Sequence, residues 1–228
     1  MNEALTKVWS EEYQRKGIPS SFRKDPTRAL VEFIQWYQNK KLPPGCVADI
    51  GCGQGRNSFY LAAEGFTVTA LDLLQGNADI INEEAKKRHL PICAYGQDAS
   101  TEWPIRDSSL DIAVDVFCYK HIVDKEAQKA YRSELWRALK SGAYYFISLA
   151  SINDGFYGLL LGTSLDPARK LIVDPHSQIP SFLYGLDDLV GEFSDKFNLV
   201  EAEEKRSTSP MYGKEYSRSV LNCIFKKG

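Results

Sequence analysis

Between Val47 and Ala150 short apolar runs of strand length alternate with stretches whose apolar residues recur at helical spacing. Val47 to Ile50 reads as a strand that ends in three alternating glycines, Gly51, Gly53 and Gly55. From Gly55 the apolar positions Phe59, Tyr60, Ala62 and Ala63 follow a helical period to Glu64. The pattern then predicts a strand over Phe66–Asp72, a helix from about Asn77 to His89 and a strand over Pro91–Tyr95. A strand over Leu110–Val116 and a helix-rich stretch to Leu139 follow, with a buried-looking strand over Tyr144–Ala150. Near the end a helix over about Leu186–Phe197 precedes strands near Asn198–Glu204 and Ser219–Phe225, read as a hairpin joined by Arg206 to Arg218. Strand and helix alternating at this interval predict an α/β fold: a doubly wound, mostly parallel, seven-stranded sheet with helices on both faces and an antiparallel edge strand.

Two stretches stand outside that rhythm. Residues 1 to 44 read as two helices joined by a loop, the first amphipathic around Trp9 and Tyr13, the second running from Thr27 through Ala29, Leu30, Phe33, Ile34 and Tyr37. They either cover one side of the sheet or form a helical cap whose loop, Gly17 to Pro26, closes over a ligand with Phe22, Arg23 and Lys24. The rest, residues 45–228, forms one domain with an irregular insertion at about 151–185, rich in Gly and Pro and containing His176, with a short helix near Phe156 to Leu161. A chain of 228 residues is long enough for one full core of this kind.

Composition narrows the function. With 28 Lys and Arg against 30 Asp and Glu, the net charge of −2 offers no overall attraction for nucleic acid or an anionic membrane. The five cysteines are scattered without a CxxC pair, so neither a disulfide framework nor a metal site is indicated, and a reducing, cytoplasmic setting is expected. No apolar run approaches the roughly 18 residues that span a bilayer.

The chemistry is concentrated at the strand ends. Glycines at 51, 53 and 55 permit positive φ and close approach of bare backbone to a ligand, and a helix starts directly after them. Asp72 closes the next strand about 20 residues on, where a carboxylate accepts hydrogen bonds from ribose hydroxyls. Asp98 and Asp115 also fall at or just beyond strand ends, where open α/β sheets bind ligands.

These residues together resemble the class I S-adenosylmethionine-dependent methyltransferases, in their Rossmann-like form. Asp49-Ile-Gly-Cys-Gly-Gln-Gly55 is similar to the family's first motif, which wraps the methionine part of the cofactor. Ala70-Leu-Asp72 resembles its ribose-binding strand end, Gln97-Asp98-Ala99 its adenine-binding turn, and Leu135 to Gly142 the helix and turn before its fifth strand. Within the class, Gly55 to Ala62 with Gly65 to Asp72 looks most like tellurite-resistance-type and related small-molecule enzymes. The resemblance implies S-adenosylmethionine as cofactor, with Asp49, Gly51, Cys52, Gly53, Gly55, Asn57, Asp72, Leu73, Asp98, Ala99, Asp115 and Val116 around it. It also implies methyl transfer to a small-molecule acceptor by in-line displacement.

Such chemistry needs no obligatory catalytic side chain, because the sulfonium already activates the methyl group. Tyr119 and His121, after the fourth strand, are candidates for a wall or a base. Tyr13, Phe22, Arg23, Arg56 and His176 are candidates for substrate contact; Arg56 opposes the dipole of the helix it opens, which suggests a use in binding. The partners expected are a small molecule, not nucleic acid or membrane, for a monomer or homodimer. Protein or RNA methylation is the nearest alternative. An NAD-dependent oxidoreductase is another, although GxGxG with Arg-Asn after it departs from the dinucleotide pattern GxGxxG.

Overall fold

The computed structural model describes residues 3–164 and 166–228. The first two residues of the N-terminal region and one position of the 151–185 insertion therefore lie outside the description. Helices α1 (Glu3–Arg15), α2 (Pro19–Phe22) and α3 (Arg28–Asn39) precede the repeat, which runs β1 (Cys46–Ile50), α4 (Arg56–Ala63), β2 (Thr67–Asp72), α5 (Gln75–Arg88) and β3 (Ile92–Gly96). It continues with β4 (Leu110–Val116), α6 (Lys125–Ala138) and β5 (Leu139–Ala150). A small hairpin, β6 (Leu171–Val173) and β7 (Pro180–Phe182), lies in the insertion, followed by α7 (Leu186–Phe193), β8 (Phe197–Met211) and β9 (Lys214–Lys227).

The seven-stranded sheet has the order β3-β2-β1-β4-β5-β9-β8. Five strands pair in parallel, β9 runs antiparallel to β5, and the edge strand β8 pairs antiparallel with β9. Burial on both faces explains why the central strands read as near-continuous apolar runs. One face packs Phe33, Ile34, Leu61 and Ile81 of α3, α4 and α5 against Val47, Val68, Ile112 and Val114. The other packs Tyr131, Leu135, Leu189 and Phe193 of α6 and α7 against Ala48, Ala113, Tyr145 and Ile147.

The N-terminal helices divide between the two roles open to them. Helix α3 covers the sheet, its Phe33 ring stacked on Phe146 with centroids 4.7 Å apart. Helices α1 and α2 instead line a cavity above the strand ends, contributing Trp9, Tyr13, Pro19 and Ser20. A buried carboxylate joins them: Glu12 Oε1 accepts from the amides of Gly17 and Ile18 at 2.8 and 2.7 Å and from the Ser21 hydroxyl at 3.1 Å.

The final hairpin differs from the sequence expectation. The residues from Arg206 to Arg218, expected as a connection, are strand almost throughout: β8 continues to Met211 and β9 starts at Lys214. Only Tyr212 and Gly213 turn, both with positive φ, as a two-residue type I′ turn requires. The extension rises beyond the core, so it carries polar residues where a buried strand would show apolar ones, and periodicity gives no signal there. Helix α7 also ends at Phe193, four residues short of the expected boundary, because Phe197 is already the first residue of β8.

Candidate active site

A cavity of about 650 Å³ lies over the carboxyl ends of β1, β2 and β4, roofed by α1 and α2 and walled by the extended hairpin. Of the glycine turn, Gly51 lines it. Gly51, Gly53 and Gly55 have φ of 70°, 55° and 84°, so a side chain at any of them is strained. Space is also lacking: a β-carbon on Gly51 would lie 2.5 Å from Cys118 Cβ, and one on Gly53 would collide with the Tyr13 hydroxyl. Gly55 faces α5, where a β-carbon would lie 2.7 Å from Ile81 Cγ1. Its glycine is therefore needed for helix packing, and it does not line the cavity.

Asp72 is the organiser of this end. Its Oδ2 accepts from the Gly53 amide at 2.8 Å, while Oδ1 accepts from the Leu74 amide at 3.0 Å and Asn77 Nδ2 at 2.9 Å. Burial raises its pKa against the pull of those donors. Asp72 and Leu73 line the cavity, as do Asp98 and Ala99 from the turn after β3. Asp98 Oδ1 is held by the amide and hydroxyl of Ser100, at 2.9 and 2.7 Å. Tyr13 reaches down from α1 to the glycine turn at Gly53, and burial, with the nearby Asp72 charge, pushes its phenol well above the ordinary range. Arg56 and Arg23 flank it, lining both this cavity and a neighbouring one of about 600 Å³ on the outer side of the turn, where Cys52, Gly53 and Asn57 lie.

Several residues expected at the site are turned away from it. Asp49 is buried beneath the turn, bonded to Ser58 Oγ at 2.6 Å, with burial raising its pKa to about 6; it orients α4. Asn57 Oδ1 accepts from the Thr27 amide at 2.9 Å and so fixes the start of α3. Asp115 and Val116 part company because neighbouring strand residues face opposite ways. Val116 lines the cavity. Asp115 points into the core, accepting from Tyr131 Oη at 2.7 Å and from the Cys118 and Tyr119 amides, and burial lifts its pKa to about 7.

Tyr119 follows Asp115 into the core. It is fully buried among Tyr131, Tyr184 and Phe193, with its hydroxyl on Glu192 at 2.8 Å and Arg132 at 2.5 Å, so it is no candidate for catalysis. Phe22 projects outward from α2, 42% exposed, while Ser21 faces in. His176 also lies off the cavity: it stacks on Tyr212 at the hairpin tip, 4.1 Å between centroids, and its carbonyl accepts from Arg15. These contacts tie α1 to the insertion and the hairpin.

His121 does line the cavity, edge-on to Trp9 at 5.0 Å. Its Nδ1 lies 2.9 Å from the Pro180 carbonyl, which can only accept, so Nδ1 carries the proton and Nε2 is the free acceptor. Burial and the neighbouring Lys120 hold it neutral by lowering its pKa well below the usual value.

The sequence reading missed Lys120, Ser148, Tyr157, Arg218 and Asn222, which line the end of the cavity beyond Val116. Lys120 lies between two residues singled out as candidates, Tyr119 and His121, and its position beyond the fourth strand was the available signal. The others become neighbours only through the pairing of β5 with β9 and the fold of the insertion.

Comparison with known proteins agrees with this architecture. The sequence profile of a family described as a methyltransferase domain matches residues 47–142. A ubiquinone biosynthesis O-methyltransferase of Rickettsia akari is 32% identical over 93 residues, 41% of this chain and 36% of that protein. A probable S-adenosyl-L-methionine-dependent methyltransferase of Haemophilus influenzae, TehB, is 43% identical over 53 residues, 23% of this chain and 18% of its own. The chain thus spans about a third or less of the length of these relatives. Among solved structures, the 1,6-didemethyltoxoflavin-N1-methyltransferase of Burkholderia thailandensis superposes with a TM-score of 0.72 at 19% identity, over 98% of this chain and 87% of that one. A methyltransferase of Methanosarcina mazei gives 0.71 at 23% identity, over 89% and 98%. At such identities these two share the fold. Residues 47–142, which supply the glycine turn, Asp72 and the Asp98 turn, thus match a methyltransferase-domain family, and the curated proteins similar to this stretch are named as methyltransferases.

Proposed function

We propose that the protein binds S-adenosylmethionine along Gly51, Gly53, Asp72 and the Asp98–Ala99 turn, and methylates a small molecule held between Trp9, Lys120, His121 and Tyr157. The observation that carries this reading is the continuity of one cavity from the glycine turn to that second, polar end. The residues present suit the cofactor. Gly51 presents bare backbone to the cavity, and Asp72 and Asp98 line the same cavity. The volume lies within the range of about 300–1,000 Å³ usual for small-molecule sites.

Bound there, the cofactor supplies an electrophilic methyl group. The chain's own part is to align an acceptor atom with it, exclude water and, where the acceptor is protonated, take up its proton. His121 Nε2 is the group for that last step, held in the right tautomer by Pro180. Helices α1 and α2 exclude water, and a roof this close over the site favours a small acceptor over a folded protein or RNA. Two similar proteins bear names in keeping with this choice, a ubiquinone biosynthesis O-methyltransferase and, in fold, a 1,6-didemethyltoxoflavin-N1-methyltransferase.

Methyl transfer to a panel of small oxygen, nitrogen and sulfur acceptors, followed as S-adenosylhomocysteine formed, tests the reaction. Turnover with at least one acceptor is expected, and turnover only on protein or RNA would contradict the reading. The roof has its own test. Protease cleavage between Ser10 and Asp25 is expected to slow severalfold when S-adenosylhomocysteine is bound; equal rates would show that α1 and α2 do not respond to the ligand.

A further inference from the structure

The end of the cavity beyond Val116 carries polar groups that cofactor binding leaves unused. Val116, Ser148 and Asn222 are register partners across β4, β5 and β9, so their side chains share one face of the sheet. Lys120, in the short turn after β4, lines the same cavity with its Nζ over the Tyr157 ring. Lys120, Ser148 and Asn222 are at most 5% exposed, and all line the cavity. Yet Lys120 Nζ, Ser148 Oγ and Asn222 Oδ1 make no hydrogen bond. Buried polar atoms are normally paired, and three such atoms lining one cavity call for a partner within it.

Their polarity defines that partner. Asn222 Nδ2 donates to the Glu203 carboxylate at 3.2 Å, which leaves Oδ1, an acceptor, as the amide's unpaired atom. Lys120 Nζ can only donate while charged, and it sits 3.8 Å from the centre of the Tyr157 ring, a contact suited to a cation. The carboxylates nearest to Lys120 are engaged elsewhere. Asp154 binds Arg218 Nε at 2.7 Å and the Ser219 amide, and Asp174 binds the Tyr212 hydroxyl at 2.8 Å and the His176 amide. Burial and the Arg218 charge lower the Lys120 pKa to about 7, against the pull of Asp154 and Asp174, so an anion beside it would favour the ammonium. The whole cavity wall carries seven Lys and Arg against four Asp and Glu, opposite in sign to the chain's net −2.

We propose that this end of the cavity takes a small planar acceptor with an anionic oxygen next to an N–H or O–H donor. The oxygen would meet Lys120 Nζ and Ser148 Oγ, the donor Asn222 Oδ1, and the plane the Tyr157 ring. The proposal rests on the methyltransferase reading of the same cavity and names its acceptor class.

The test uses 2-aminobenzoate, its neutral counterpart 2-aminobenzamide, and benzoate, which keeps the anion but lacks the donor. Each is titrated by fluorescence or calorimetry into the full chain saturated with S-adenosylhomocysteine. 2-Aminobenzoate is expected to bind at least tenfold tighter than 2-aminobenzamide, and tighter than benzoate. Lys120→Met should erase the preference for the anion and Lys120→Arg should keep part of it, with S-adenosylhomocysteine affinity unchanged in both. Lys120→Met should also raise the thermal midpoint, since it removes an unpaired buried cation, whereas loss of a structural lysine would lower it.

Equal binding of 2-aminobenzoate and 2-aminobenzamide, or no binding of either, would overturn the proposal. So would an equal loss of S-adenosylhomocysteine affinity in Lys120→Met, which would mean that Lys120 reads the cofactor's carboxylate. Failure of the wild-type chain to bind S-adenosylhomocysteine would count against the methyltransferase reading instead, and the 2-aminobenzoate comparison would still decide on the anion site in the free protein.

Discussion

Asp154→Ala is expected to destabilise the fold by about 3–5 kcal/mol, the range for removing one partner of a buried ion pair. Asp154 is 1% exposed and Arg218 8%. The carboxylate accepts from Arg218 Nε at 2.7 Å and the Ser219 amide at 3.0 Å through Oδ2, and from the Phe156 and Tyr157 amides at 3.0 and 2.9 Å through Oδ1. Its loss strands a buried guanidinium and three amides at once, and nothing in alanine replaces them. The consequence extends to function, because the same carboxylate joins the insertion to β9 and sets Tyr157 in the cavity wall. Urea denaturation followed by circular dichroism measures the effect. A loss below about 1 kcal/mol would mean that the pair is solvated in the working protein.

Asp72→Ala is expected to weaken S-adenosylhomocysteine binding more than tenfold, at least about 1.4 kcal/mol. Two effects combine. The ribose hydroxyls lose their acceptor, and the Gly53 amide loses the 2.8 Å bond that holds the glycine turn in its left-handed conformation. Asp72→Asn keeps one carbonyl oxygen and the shape of the side chain, so its affinity should fall between wild type and Asp72→Ala. Calorimetry on variants whose circular dichroism matches wild type separates binding from folding. Unchanged affinity in folded Asp72→Ala would remove Asp72 from the cofactor site.

The repeating part of the fold was legible because its physics is local. Buried parallel strands must be apolar on both faces, and turns at the strand ends need glycine, so Val47 to Gly55 and Phe66 to Asp72 announce themselves. The glycine-turn end of the cavity was legible for the same reason, since the glycines and Asp72 follow one another along a strand, turn, helix and the next strand. The proposed acceptor end is assembled by other relations. Ser148 and Asn222 lie far apart in sequence and meet only because β9 enters the sheet antiparallel beside β5. Periodicity could have separated Asp115 from Val116, because adjacent strand positions face opposite ways; only Val116 reaches the cavity. Tyr119 required knowledge of α7, whose Glu192 captures its hydroxyl. The upper hairpin, Arg206 to Arg218, was hidden by its polar composition, although it supplies Arg206, Ser209 and Arg218 to the cavity wall.

The central claim is that the glycine turn, Asp72 and the Asp98 turn form a site for S-adenosylmethionine. Parallel calorimetric titrations of the wild-type chain with S-adenosylhomocysteine and NAD test it most directly. The account predicts saturable binding of S-adenosylhomocysteine near one equivalent and none of NAD. Binding of NAD alone, or of neither, would contradict it.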